Sequence, residues 1–154
     1  MMIKEINSEE EKKEISTSIL ESLPNWFGIQ ESTQEYISKS SNLPFFAAID
    51  DSKPLGFIVT KENNQYTAEI YVMGVLPDCH NQGIGTSLLN RVLQWAKERG
   101  CEFLQVKTLD ESHPDIYYAK TRKFYTSVGF KPLECLPELW GKENPCLIMI
   151  QHIV

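Results

Sequence analysis

Two glycines, Gly83 and Gly85, stand where a β-rich run gives way to a helical one. The run from Tyr66 to Val75 is rich in β-branched and aromatic residues, and after Pro77 and a polar turn the apolar residues Ile84, Leu88, Val92 and Trp95 or Ala96 recur on one helical face. Gly100 ends that pattern. A helix start offers unpaired backbone N–H groups and about half a positive charge, and glycine there lets an oxyanion reach the bare backbone. The chemistry this spacing supports is pyrophosphate binding, with a ligand-free tight turn as the competing reading. A Walker loop is excluded, because Thr86 and Ser87 follow Gly85 with no lysine in place. A dinucleotide fingerprint needs a third small residue where this chain has Leu88.

A second chemically suggestive residue is Glu69, inside the strand that leads to the glycines. Period 2 puts Thr67, Glu69, Tyr71 and Met73 on one face and Ala68, Ile70, Val72 and Gly74 on the other. An unpaired buried carboxylate is expensive, so Glu69 either meets solvent or a partner, or lies in a cleft where its proton affinity is useful. Gly74, inside the same strand, marks a bulge or a close backbone approach. The adjacent aromatics Trp26 and Phe27 sit in a turn, where packing onto the core is the plain reading. His113 is a lone loop histidine with no Ser or Cys partner to suggest a triad, and is expected to be solvated.

Val75, Pro77, His80, Gly83 and Gly85 fill, in register, the pattern Val-x-Pro-x-x-(Arg/Gln)-x-x-Gly-x-(Gly/Ala), so this stretch resembles the acetyl-coenzyme A loop of the GNAT N-acetyltransferases. Phe124-Tyr125-Thr126-Ser127-Val128-Gly129-Phe130 resembles that family's second pattern, (Leu/Phe)-Tyr-x-x-x-Gly-Phe. The chain departs from the family at His80, where Arg or Gln is usual, at Tyr118, where many members have Asn, and at Thr121, where many have Ala. The resemblance implies transfer of an acetyl group from acetyl-CoA to a primary amine of a small molecule or peptide, without a metal. It implies a coenzyme site made by Met73, Gly74, Val75, His80, Asn81, Gln82, Gly83, Ile84, Gly85 and Thr86, with Tyr118 and Phe124 from a later helix. Tyr125 is implied as the acid that protonates the departing thiolate and Glu69 as the base for the amine, directly or through water. Trp26, Phe27, Tyr71 and Trp140 become candidates for the acceptor wall, Trp140 alternatively for a subunit contact in a homodimer. Rival readings are a non-catalytic coenzyme-binding module on the same fold and a nucleotide-binding α/β protein.

The elements that must position these residues follow from periodicity. Met2 to Ile6 reads as a strand, and Ser8 with Glu11 three places on opens a helix through Leu20 that Pro24 stops. A second helix covers Glu31 to Ser40. Phe45 to Ile49 and Leu55 to Thr60 are strands joined by a turn over 50–54, and with the third strand they form an antiparallel meander. The helix Ile84 to Arg99 and the strand Cys101 to Leu109 complete a βαβ crossover, which makes the two strands parallel. A helix up to Gly129 follows, then strands over Phe130 to Cys135 and Pro145 to Val154, the last expected to be covered on both faces. The expectation is a single α/β (α+β) domain over residues 1–154 with the GNAT acyl-CoA N-acyltransferase fold: a mixed central sheet of about seven strands flanked by about four helices.

Composition narrows the classes further. At 154 residues the chain is long enough to bury about 70% of its extended surface and needs no staple. Its four cysteines show no CxxC pair and no zinc-ligand spacing, which reads as reduced thiols. The charged start MMIKEINSEEEKKE is unlike a signal peptide and no run reaches the length of a membrane span, so a cytoplasmic protein with no membrane partner is expected. A net charge of −6 without a basic block argues against nucleic acid and weakly for a cationic substrate.

Overall fold

The computed structural model describes every residue from Met1 to Val154. Its elements, in chain order, are β1 (Met2–Glu5), α1 (Glu9–Glu21), α2 (Gln30–Ser40), β2 (Phe45–Asp50), β3 (Lys53–Glu62), β4 (Thr67–Val75), a short 3₁₀ turn (Pro77–Cys79), α3 (Ile84–Glu98), β5 (Phe103–Leu109), α4 (Ile116–Ser127), β6 (Lys131–Leu136) and β7 (Cys146–His152). The strands form one sheet in the order β1-β2-β3-β4-β5-β7-β6, antiparallel throughout except for the parallel β4–β5 pair. No helix is long and apolar enough to cross a membrane.

Local chemistry explains the boundaries. Ser8 Oγ accepts from the Glu11 N–H and so caps α1, as its spacing predicts. The β2–β3 turn is Asp51–Ser52, both residues at positive φ, the geometry of a two-residue hairpin. Asp115 caps α4 by accepting from the N–H groups of Tyr117 and Tyr118. At the other end of α4, Gly129 N donates to Thr126 O and Phe130 N to Tyr125 O, which is a Schellman cap. The Phe130 ring packs at 5.4 Å against Tyr125, the hydrophobic contact that such a cap favours. The spacing Tyr-x-x-x-Gly-Phe thus has a local meaning: it stops the helix and fixes the tyrosine ring in one stroke.

Helices cover the sheet on both sides. α3 lies over one side with Leu88, Leu89, Val92 and Trp95 buried against Phe46, Ile58, Ala68 and Ile70. α1 and α2 lie over the other, burying Ile15, Ile19, Leu20 and Ile37 against Phe45, Phe57, Val59 and Val72. On β4 the simple alternation fails. Val59 pairs with Val72 but Thr60 pairs with Ile70, so Tyr71 is an extra residue, a β-bulge. The bulge turns the strand over: Met73 joins Ala68 and Ile70 on the α3 side, while Tyr71, Val72 and Gly74 face α1 and α2. This corrects the period-2 grouping, which had placed Met73 with Glu69 and Tyr71. Gly74 remains in register with Phe57, and its role is close approach: a Cβ there would lie 3.1 Å from both Ile19 and Leu23 side-chain atoms.

The bulge coincides with a fork. β4 pairs with β5 only from Thr67↔Phe103 to Ile70↔Val106. Beyond that, β4 stays on β3 while β5 stays on β7 through Leu109. The sheet divides into two arms, and the β4 edge from Tyr71 to Val75 has no strand partner on the fork side, with His80 taking Val75 O alone. α1 and α2 stop at the first arm, so the second face of β7 is covered only in part: Leu147 and Met149 lie in the core, and on the other face Cys146 is buried while Ile148 and Ile150 are half-buried. The expectation of cover on both faces is corrected accordingly.

Candidate active site

The first arm ends in a run of free backbone donors. No N–H group from Asn81 through Thr86 has a backbone or side-chain acceptor in the chain, and the α3 N-terminus has no side-chain cap. Asn81 at φ 63° and Gly83 at φ 80° curl this run into a nest that lies on the positive end of the helix. The two glycines serve different ends. Gly83 has open space around it and is required by its left-handed backbone, whereas a Cβ at Gly85 would lie 3.0 Å from Phe124 Cζ. Gly85, Phe124 and Met73 therefore meet where α3, α4 and β4 converge. His80 donates from Nε2 to Val75 O at 2.8 Å.

The second arm carries Tyr125 on α4. Its side chain is 5% exposed, lies between Phe124 and Phe130, and makes no hydrogen bond within the chain. Burial first, then the Tyr118 and Tyr36 phenols, hold its proton well above the ordinary phenol range. Tyr118 donates its hydroxyl to Trp26 O at 2.9 Å, and burial pushes its phenol up to about 12. Trp26 in turn donates from Nε1 to Tyr117 O and Thr121 Oγ1 and sets its ring edge-on to His80 at 5.7 Å. Trp26 thus touches both arms. Phe27 turns the other way and starts a row of aromatic contacts, Phe27–Tyr36 at 5.9 Å and Tyr36–Tyr71 at 5.4 Å, which ends at the bulge.

Glu69 is 4% exposed and fully partnered. Oε1 accepts from Asn63 Nδ2 at 2.9 Å and Gln105 Nε2 at 2.7 Å, and Oε2 faces Lys107 Nζ at 3.5 Å. Of the alternatives open to a carboxylate in this strand, the structure supplies the partner. Gln105 stands opposite Glu69 in the parallel ladder and Lys107 is the first β5 residue past the fork.

The structure brings Met73, Gly74, Val75, His80 to Thr86, Phe124, Tyr125, Trp26, Tyr118 and Tyr71 around one fork. Trp140 stands apart: it is 41% exposed on the β6–β7 connection, with no ring contact to the others. His113 is half-buried and its Nδ1 is buried without a partner, so it is not the solvated loop residue expected. No group of His, Cys, Asp or Glu side chains is placed to hold a metal ion. Sequence reasoning missed Gln105, Lys107, Asn63 and Tyr36. The first two follow from a two-residue period once the β4–β5 register is known, but nothing in the sequence gives that register.

The site thus lies in a mixed sheet forked at its parallel pair, with a run of free backbone N–H groups on one arm and a capped helix tyrosine on the other. The chain belongs to the acetyltransferase (GNAT) family, whose match extends over residues 4–130. An uncharacterized N-acetyltransferase of Methanocaldococcus jannaschii is 28% identical over 106 residues, 65% of this chain and 44% of the relative. The chain spans under half the length of the curated relatives it matches. Among solved structures, a GNAT-family acetyltransferase of Desulfovibrio desulfuricans superposes with a TM-score of 0.83 at 19% identity, covering 99% of both chains. An aminoglycoside 6'-N-acetyltransferase complexed with coenzyme A superposes with a TM-score of 0.77 at 21% identity, covering 100% of this chain and 98% of its own. Both likenesses are of fold. The fold is that of the GNAT family.

Proposed function

We propose that the protein transfers the acetyl group of acetyl-CoA directly to a primary amine. The observation that carries this is the run of unpaired N–H groups from Asn81 to Thr86 beside an unpaired β4 edge, a nest for a pyrophosphate continuing into a strand edge for an amide-bearing chain. The donor set suits acetyl-CoA, which supplies an activated thioester. Main-chain groups of Gly74 and Val75 align the pantetheine and steady developing charge on the carbonyl oxygen. Met73 and Phe124 wall the passage, and His80 and Gln82 hold the loop that makes the nest. Tyr125, kept protonated by burial, gives its proton to the departing sulfur. Glu69 receives the proton released by the amine. Its Oε1 already accepts from two amides and the side chain is nearly buried, so we assign the transfer to a water that relays the proton to Oε2, the oxygen that only Lys107 faces. Trp26, Phe27 and Tyr71 frame the acceptor side, and Trp140 has no role in this reading.

The test is a panel of primary amines with purified protein and acetyl-CoA, followed by thiol release and by mass spectrometry of the amine. Release of coenzyme with one acetylated product is expected. Calorimetric coenzyme binding with no turnover on any amine would instead mark a binding module.

A further inference from the structure

We infer that the acceptor is a primary amine that also carries a carboxylate, and that Lys107 receives that carboxylate. This deepens the acetyltransferase reading and rests on it. Lys107 is the first β5 residue beyond the last β4–β5 pair, at the crotch of the fork. Its side chain lies on the same side as Glu69 and Gln105, since Leu104 and Val106, alternating with them, point into the α3-side core. That is the side on which Tyr71, Tyr36 and Phe27 form their aromatic row.

The ammonium has donors to spare. Lys107 is 29% exposed, and its sole partner is Glu69 Oε2 at 3.5 Å, longer than a well-formed N–H···O bond. An ammonium carries three N–H groups, so most of its donor capacity is unused within the chain. Glu69 does not offer a matching free anion, because two side-chain amides and Lys107 surround it. The nearby charges favour an anion as well. Lys61, opposite Glu69 on β3, holds its ammonium 5.8 Å from the Tyr71 ring centroid. Glu35, the carboxylate on α2 next to Tyr36, is already paired with Lys39 at 2.7 Å. The acceptor side of the fork therefore holds Lys61 and Lys107 beside Glu69, and the exposed Glu35 near Tyr36 and Tyr71 is held by Lys39, so carboxylates do not outnumber ammoniums there although the whole chain carries −6. A polycationic amine would bring like charge to the one place where its amine must go. An amino acid or ω-amino acid brings both the nucleophile and the counter-charge.

The test compares kcat/KM for a set of amino acids and ω-amino acids with their carboxamides and with a linear polyamine, using thiol release and saturating acetyl-CoA. Wild type, Lys107→Met and Lys107→Arg are each measured, with coenzyme affinity read separately by calorimetry. Wild type should favour acids over matched amides by about 10- to 100-fold, chiefly through KM, the size expected for a charge-assisted contact. Lys107→Met should erase that preference with coenzyme affinity unchanged, and Lys107→Arg should keep most of it. Preference for amides or the polyamine in wild type, or an undiminished acid preference in Lys107→Met, overturns the inference while leaving the acetyltransferase reading intact. Should Lys107→Met fail to fold, the wild-type pairs and Lys107→Arg decide. Coenzyme binding without turnover on any amine overturns both.

Discussion

Replacing Tyr125 by Phe should lower activity while leaving stability nearly unchanged. The side chain is 5% exposed and its hydroxyl has no partner in the chain, so deleting the oxygen breaks no hydrogen bond and leaves the ring contacts with Phe124 and Phe130 in place. The phenol oxygen is not among the buried polar atoms without a partner, so it keeps solvent access at the fork and its removal should cost or gain little. The variant should stay within about 1 kcal/mol of wild type, a shift of at most about 4 °C for a chain of this size. A proton donor worth about 10²–10⁴-fold is lost at the same time, so kcat should fall within that range while coenzyme affinity holds. Differential scanning calorimetry, coenzyme titration and kcat at saturating acetyl-CoA measure the three quantities. A variant with wild-type kcat, once chemistry is shown to limit turnover, would refute the acid role. A variant destabilised by more than about 1 kcal/mol would refute the reading of an unpartnered phenol.

Gly83→Val, forced to a left-handed backbone that β-branched residues resist, should weaken coenzyme binding by more than about 10-fold in calorimetry. Gly83→Asn, which tolerates that region, should bind nearly as wild type, and equal losses in both would show that backbone conformation is not the cause. Trp26→Phe removes the donor shared by Tyr117 O and Thr121 Oγ1 and should lower stability by about 1 kcal/mol, read from the denaturant midpoint; an unshifted midpoint would mean those contacts contribute nothing. Alkali should unfold the protein in a defined window. Burial is the leading cause that raises the phenols of Tyr36 and Tyr125 and pushes those of Tyr71 and Tyr118 up to about 12, against 10.0 for a free phenol. The unfolded chain releases these protons first, so their contribution is complete below about pH 10 and is lost as pH rises through about 12. Phenolate absorbance and tryptophan fluorescence should change together there, and full phenolate formation with unchanged fluorescence would contradict the assignment.

The order of elements was legible because each long element carries its own period and its own stop. Ser8 and Asp115 cap helices, and Gly100 and Gly129 close them at positive φ. The motifs were legible for a related reason: Gly-x-Gly and Tyr-x-x-x-Gly-Phe are local backbone devices, a nest and a Schellman cap, whose geometry is set within a few residues. The illegible features all depend on pairing. The bulge at Tyr71 arises from the register between β3 and β4, and no residue type at Tyr71 announces it. The environment of Glu69 depends on Gln105 and Lys107, which are local to a different strand. The partial cover of the Ile148 and Ile150 face of β7 depends on α1 and α2 ending over the first arm, a tertiary fact that alternation within Cys146–His152 cannot express.

The three positions at which the chain departs from its family's motifs converge on one residue. His80 packs its ring against Trp26, Tyr118 donates its hydroxyl to Trp26 O, and Thr121 Oγ1 accepts from Trp26 Nε1. The α1–α2 loop is thereby tied to the nest on one arm of the fork and to α4 on the other. An asparagine at Tyr118 would be too short to repeat the hydroxyl's reach, and an alanine at Thr121 would leave the indole N–H with Tyr117 O alone. Each departure taken singly looks like a lost family contact, whereas together they supply the ring, the donor and the acceptor that a tryptophan in this loop can use. His80 also holds Val75 O, a main-chain group on the open strand edge, so a ring contact and a hydrogen bond link the loop, the nest and that edge. A change at Trp26 should therefore be felt at the coenzyme end of the fork as well as at the acceptor end. Two of the three contacts, those of His80 and Thr121, exist only with the indole, whereas the Tyr118 hydroxyl donates to the Trp26 main-chain carbonyl and fixes the loop backbone that presents it.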